Sequence, residues 1–243
     1  MGRTDIISII PARGGSKGVP KKNIKVLHGF PLIAYSIKAS QHSRFISRTI
    51  VSTDSAEIAS VAKQYGAEVP FLRPAELSGD KSTDYDFVAH ALDWFQKNEG
   101  KVPDYLVHLR PTTPLRDVKV VDAAIEAILA SSDSTALRSA HEMPESAYKC
   151  FEIQNGVLKT VGTGSYELDA ANQARQQFPK TYQANGYVDV LKSSFVLQHH
   201  RIHGNKVLGY VTNRVVEVDS LEEFHLLEYQ IARDKKIINE LFG

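Results

Sequence analysis

Apolar positions along this chain fall into short β-branched runs separated by stretches with helical spacing. The run Ile6-Ile7-Ser8-Ile9-Ile10 before Pro11 predicts a buried strand, and it is far too short to cross a membrane. A helix is expected near 31–42, with Pro31 in its first turn and Leu32, Tyr35, Ile37 and Ala39 available for burial. Thr49-Ile50-Val51-Ser52-Thr53 reads as the next strand. Asp54, three residues before Glu57, suggests a capping box for a helix that runs to Tyr65 and stops at Gly66. A short strand near 67–72, a turn-rich loop 73–81 and a helix over 83–97 follow. Tyr105 to Leu109 forms the clearest central strand, and Val118, Val121, Ile125 and Ile128 mark another amphipathic helix. Between about 139 and 182 the alternation lapses into polar, turn-rich sequence with a hairpin signal at Gln154-Asn155-Gly156. That stretch reads as an insertion, a lid or an oligomer contact. Strands at 187–191 and 214–218 and a long helix over 220–241 complete the pattern. The sum is an α/β fold, a mainly parallel sheet covered by helices in a single domain over 1–243.

Composition narrows the class. The 243 residues carry 29 basic and 28 acidic side chains, a net charge of +1. That balance speaks against a nucleic-acid or anionic-membrane footprint, so any anion site must come from local placement of charge. Cys150 is the single cysteine, which excludes an intrachain disulfide or a cysteine-based zinc site and fits a reducing cytoplasm.

Local placement is found at Pro11-Ala12-Arg13-Gly14-Gly15-Ser16-Lys17-Gly18-Val19-Pro20-Lys21-Lys22-Asn23, directly after the first strand. Three glycines allow backbone N–H groups to approach a polyanion, and Arg13, Lys17, Lys21 and Lys22 add positive charge. A triphosphate site is the sharper reading; a mobile basic surface loop is the plainer one. The spacing matches neither G-x-x-x-x-G-K-[ST] nor the dinucleotide G-x-G-x-x-G, so the nicotinamide dehydrogenases lack their fingerprint here, and absence of NAD binding would close that option.

This loop resembles the signature of the acylneuraminate cytidylyltransferases, the CMP-sialic acid synthetases. The likeness continues, in the family's order, through Val51-Ser52-Thr53-Asp54, Leu72-Arg73-Pro74-Ala75-Glu76-Leu77, Pro111-Thr112-Thr113-Pro114-Leu115-Arg116, Arg175-Gln176-Gln177-Phe178-Pro179, Asn185-Gly186 and Val216-Glu217-Val218-Asp219. The resemblance implies a Rossmann-like nucleotidyltransferase fold with a small dimerisation insertion, a homodimer, and activation of a sialic-acid-like acidic sugar by CTP with Mg2+. It implies nucleotide contacts from Ala12, Arg13, Gly14, Ser16, Lys17, Lys22, Asn23, Arg73 and Ser82, with Arg13, Lys22 and Asp219 catalytic. It further implies sugar contacts from Arg110, Thr112, Arg175, Gln176, Asn185 and Gly186, and a metal held by Glu217 and Asp219. Taken by themselves, Asn23 also suits a turn or cap, Arg73 a surface loop, Ser82 and Thr83 a helix cap, Asn185-Gly186 a structural turn, and Asp219 the N-cap of the last helix.

Two positions depart from the family's pattern. Glu217 stands where aspartate is usual, and Arg110 where glutamine usually precedes the Pro-Thr motif. A cation at 110 would suit a phosphate group, which keeps open a transferase that couples GTP or another nucleotide to a sugar-1-phosphate. A non-catalytic nucleotide-sugar binding protein is the rival from another class.

Overall fold

The computed structural model describes residues 4–161 and 168–243. The chain runs β1 (Ile6–Pro11), β2 (Val26–Leu27), β3 (Phe30–Pro31), α1 (Leu32–His42), β4 (Arg48–Ser52), α2 (Ala56–Gln64), α3 (Asp84–Asn98) and β5 (Tyr105–His108). It continues through α4 (Val118–Leu129), β6 (Ala136–Glu142), β7 (Phe151–Gln154), β8 (Val157–Thr160), β9 (Tyr182–Lys192), α5 (Ser193–His199), β10 (Val207–Val211), α6 (Leu221–Arg233) and α7 (Lys236–Phe242).

Six strands form one sheet in the order β10-β6-β9-β5-β1-β4. The pairs β1–β4, β1–β5 and β10–β6 are parallel, while β9 runs antiparallel to both β5 and β6. Alternation along β1 explains its all-apolar sequence: Ile6 and Ile10 join one core with Ile33, Ile37, Val121 and Ile125, and Ile7 and Ile9 join another with Phe87, Leu92 and Phe95. Helices cover both faces, as a strand buried on both sides requires. Helix α1 is apolar nearly all round because it is covered twice. Ile33 and Ile37 face the sheet, whereas Leu32, Tyr35 and Ala39 pack with Phe224, Leu227, Ile231 and Leu241 of α6 and α7.

Several expected elements change. At 67–72 only a bridge between Ile50 and Glu68 forms, since Pro70 brings no N–H to a ladder. The expected strand at 214–218 is irregular; β10 replaces it in the sheet, and Val218 instead donates its N–H to Thr112 O at 2.8 Å. The last helix breaks into α6 and α7 around Asp234. Helix α2 is capped by Ser55, whose side chain accepts from Ile58 N, and not by Asp54. Residues 139–142 belong to β6 in the main sheet, so the departure from it begins after Glu142. Beyond that point β7 and β8 pair as the hairpin signalled by Asn155-Gly156, with Asn155 at φ 52° and Gly156 at φ 80°.

Candidate active site

The basic loop leaves the carboxyl end of β1 and is pinned on three sides. Ala12 N–H donates to Ser52 O at 2.9 Å, tying its base to β4. Asn23, buried, donates from Nδ2 to Arg13 O at 2.9 Å, so its side chain clamps the loop. Gly14 N–H donates to Asp54 Oδ1 at 2.8 Å. The fourth contact is the tightest: a Cβ on Gly18 would lie 2.0 Å from Asp219 O. The loop is thereby packed on the segment that carries the two candidate metal carboxylates.

The four loop cations diverge. Lys21, at φ 51°, turns out of the cleft to pair with Glu57 on α2 at 2.8 Å, which removes it from the charge set the sequence suggested. Lys22 turns inward, donating to Val218 O at 2.7 Å and to Asp219 Oδ1 at 3.0 Å. Arg13 reaches Gly79 O at 3.0 Å and Asp80 at 3.3 Å, and Lys17 pairs with Asp80 at 2.5 Å. Lys17, and secondarily Arg13, hold the Asp80 carboxyl below the usual carboxylate range.

Arg13, Lys17 and Lys22 line one cavity of about 420 Å³, together with Ser16, Arg73, Asp80, Ser82, Asp84, Arg110, Thr112 and Asp219. It lies beyond the carboxyl ends of β1, β4 and β5, where open α/β sheets bind ligands. Arg73 is no surface arginine: it is 6% exposed, donates from Nη2 to Ser52 O at 3.1 Å, and lies 5.6 Å over the Phe87 ring. Its Nε has no hydrogen-bond partner among the described residues, and burial lowers its pKa. Thr83, paired with Asp86, caps α3, which leaves Ser82 on the cavity wall.

Arg110 is flanked by two carboxylates, Asp84 at 2.5 Å and Asp189 at 2.9 Å. Asn185 and Gly186 do not form a turn before a strand; both lie inside β9. Gly186 makes room for Arg110, because a Cβ there would meet Arg110 Cδ and Thr113 Oγ1 at 3.0 Å. Asn185 is buried and donates to Thr212 Oγ1 at 2.7 Å. Arg175 and Gln176 lie apart from the cleft, in a second cavity of about 380 Å³ with Glu142, Phe178 and Lys180. Arg175 pairs there with Glu142 at 3.2 Å.

Glu217 and Asp219 occupy the irregular segment before α6, not one face of a strand. Burial raises the Glu217 pKa, and the charge of Asp219 raises it further against the opposing pull of Arg110. Asp219 is not the cap of α6; Ser220 and Glu223 form that capping box, and Asp219 only donates its N–H to Glu223 Oε2 at 2.7 Å. Its carboxylate faces the cleft instead, where Lys22 pairs with one of its oxygens. No group of three or more His, Cys, Asp or Glu suited to a metal occurs among the described residues. Asp219 lines the cleft and Glu217 is not among its lining residues; a single hard carboxylate still suits Mg2+, which takes one or two from protein and fills its shell with phosphate oxygens and water.

Sequence reasoning gave no place in the site to Asp54, Asp80, Asp84 and Asp189, the acids that anchor or pair the cleft's backbone and cations. Two of them carried a signal: Asp54 ends the family-like run Val51-Ser52-Thr53-Asp54, and Asp189 is a carboxylate within the apolar run Tyr187-Val188-Asp189-Val190-Leu191.

A family model described as cytidylyltransferase matches residues 7–240. The CMP-N,N'-diacetyllegionaminic acid synthase of Campylobacter jejuni is 30% identical, covering 94% of this chain and 95% of its own length. A pseudaminic acid cytidylyltransferase of the same species is 30% identical over 94% of this chain and 97% of its own. Among solved structures, a CMP:2-keto-3-deoxy-manno-octonic acid synthetase complexed with CTP superposes with a TM-score of 0.70 at 12% identity, covering 95% of this chain and 100% of its own. That likeness concerns the fold.

Proposed function

This chain belongs to the cytidylyltransferase family, and we propose that it joins CTP to a sialic-acid-like nonulosonic acid, giving a CMP-sugar and pyrophosphate. The observation that carries the reading is a single cleft that gathers Arg13, Lys17, Lys22, Arg73, Arg110 and Asp219 from segments up to 206 positions apart (219 minus 13). Full-length relatives named for legionaminic and pseudaminic acid supply the acceptor class.

In this reading Arg13, Lys17 and Lys22 hold the triphosphate, with the planar fork of Arg13 matched to phosphate oxygens. Arg73, rigid and desolvated, borders the base with its guanidinium, and Ser82 borders the same pocket. The acceptor enters from the side of Arg110 and Thr112, whose loop packs on Gly186 of β9. Glu217 and Asp219 would hold Mg2+, which supplies charge neutralisation at the α-phosphate and orientation of the attacking hydroxyl. Lys22, bonded to both Val218 O and Asp219, keeps that segment against the phosphate loop. Positioning and electrostatic stabilisation then provide the rate enhancement.

The proposal includes a homodimer in which the segment beyond β6 meets a second copy. Arg175 and Gln176, remote from their own cleft, would then serve the acceptor site across that contact. A cytoplasmic location suits a nucleoside triphosphate substrate, and among the described residues no helix is long and apolar enough to cross a membrane.

The test is magnesium-dependent pyrophosphate release with each of the four nucleoside triphosphates, against a nonulosonic acid and against a sugar-1-phosphate. Release confined to CTP with the nonulosonic acid supports the proposal. Release with the phosphorylated sugar would overturn the acceptor, and nucleotide binding without turnover would favour a binding protein.

A further inference from the structure

Arg110 is a cation on the wall of this cleft, and its surroundings decide what it recognises. The side chain leaves the carboxyl end of β5 and crosses Gly186. Nη1 turns inward to Asp189 Oδ2 at 2.9 Å, and Asp189 is 1% exposed. The other oxygen of Asp189 lies 3.9 Å from Arg138 Nε, and the ring of His108, paired with Asp189 across β5 and β9, approaches Oδ2 at 3.8 Å. Nη2 meets Asp84 Oδ2 at 2.5 Å, at the first residue of α3 and on the cleft wall. Asp84, Arg110, Asp189 and Arg138 therefore cancel to zero formal charge. A bare cation at this position would welcome an anion, but this one is already compensated.

Resting on the CMP-transfer reading above, we propose that Asp84 and Arg110 are a specificity-determining pair for an uncharged, hydroxyl-bearing part of the acceptor, with Asp189 as a positioning residue. A carboxylate or phosphate arriving at Arg110 would meet Asp84 within hydrogen-bond distance of the same nitrogen and would have to expel it. A hydroxyl needs no such exchange. It donates to a remaining lone pair of Asp84 while a neighbouring hydroxyl accepts from the guanidinium, so adjacent hydroxyls satisfy both partners at once. Asp189 fixes the guanidinium plane from behind, so that one edge alone faces the sugar.

The sign of one substitution separates the two cases. In Asp84→Asn the acceptor KM should rise about tenfold while the CTP KM stays within about twofold of wild type. If Arg110 instead binds the acceptor's anion in competition with Asp84, the same change lowers the acceptor KM. A lowered or unaltered value overturns the proposal. An acceptor shortened by its hydroxyl-bearing tail provides the second measurement: with it, wild type and Asp84→Asn should differ by less than about twofold. Asp189→Asn should raise the acceptor KM selectively; a purely structural role would lower Tm and raise both KM values together. Should wild type turn over some other acceptor, the acceptor assignment fails, and the same comparison on that acceptor still decides the role of Asp84.

Discussion

Gly18 ties the phosphate loop to the carboxylate segment through a contact that no side chain can share. Because a Cβ there would stand 2.0 Å from a backbone oxygen, relief requires moving the chain at Asp219 or the loop itself. Gly18→Ala should reduce kcat/KM by about 10²-fold, the scale of a 1 Å misplacement of catalytic groups. Tm should fall only slightly, because Gly18 sits in an exposed loop. Steady-state kinetics beside a thermal melt check this, and an active Gly18→Ala would show that the two segments move independently. The same tightness explains why cations in the cleft come with acids. Arg13 and Lys17 share Asp80, Lys22 has Asp219, and Arg110 has Asp84 and Asp189. A triphosphate must therefore take over the ion pairs of Arg13, Lys17 and Lys22 rather than meet bare charge, whereas Arg110 stays held between two carboxylates.

Between elements, Arg116 joins the loop after β5 to β9 and α1. It is fully buried and donates to the carbonyls of Tyr187 at 2.6 Å, Arg110 at 2.7 Å, Gly186 at 2.8 Å and Thr113, and to Ser36 Oγ at 2.9 Å. Burial draws its pKa down to about 9, leaving it protonated at neutral pH. Arg116→Ala should cost about 3–5 kcal/mol in urea unfolding, since four carbonyls would lose a charged donor at once. Arg116→Lys should recover little, as a point charge cannot span the fork. The sequence quoted Arg116 as part of a motif and offered no clue that it is structural. What was legible there follows a rule of period. Helices α1 to α4 and strands β1, β4 and β5 showed themselves because apolar spacing reports burial. Strand β10 did not, because Val207, Gly209 and Val211 are exposed on an edge and Gly209 adds no side chain. Arg214 to Val218 misled, because Val216 and Val218 are drawn into the core beside Leu27 and Phe224 without any strand partner. In the site, the cations were legible as a cluster in one loop. Asp80, which pairs with Arg13 and Lys17, and Asp84 and Asp189, which pair with Arg110, were not, since they are far from those cations in sequence and meet them only through the fold.

Two properties belong to the whole molecule, its acid stability and its association. His108 is fully buried with neither ring nitrogen hydrogen-bonded among the described residues, and burial drives its pKa well below the ordinary 6.5. The unfolded chain therefore takes up a proton near pH 6.5 that the folded chain refuses, so stability is lost as pH falls below that value. His108→Leu should flatten the decline between pH 6 and 5 by about 1.4 kcal/mol per pH unit, measured by urea unfolding at several pH values. In the proposed homodimer, the hairpin of β7 and β8 would form the contact. Its register places Phe151, Ile153 and Leu158 on one face, and they are 39%, 73% and 47% exposed. A two-stranded ribbon with an open apolar face gains little stability alone, and three such residues in one patch call for a cover. If a second copy supplies it, Ile153→Glu with Leu158→Glu should convert the dimer to a monomer near 27.0 kDa in sedimentation equilibrium. Because Arg175 and Gln176 lie outside the cleft of their own chain, that monomer should also bind CTP with unchanged affinity while losing acceptor turnover. A monomer with full turnover would place acceptor recognition wholly within one cleft and confine the hairpin to another role.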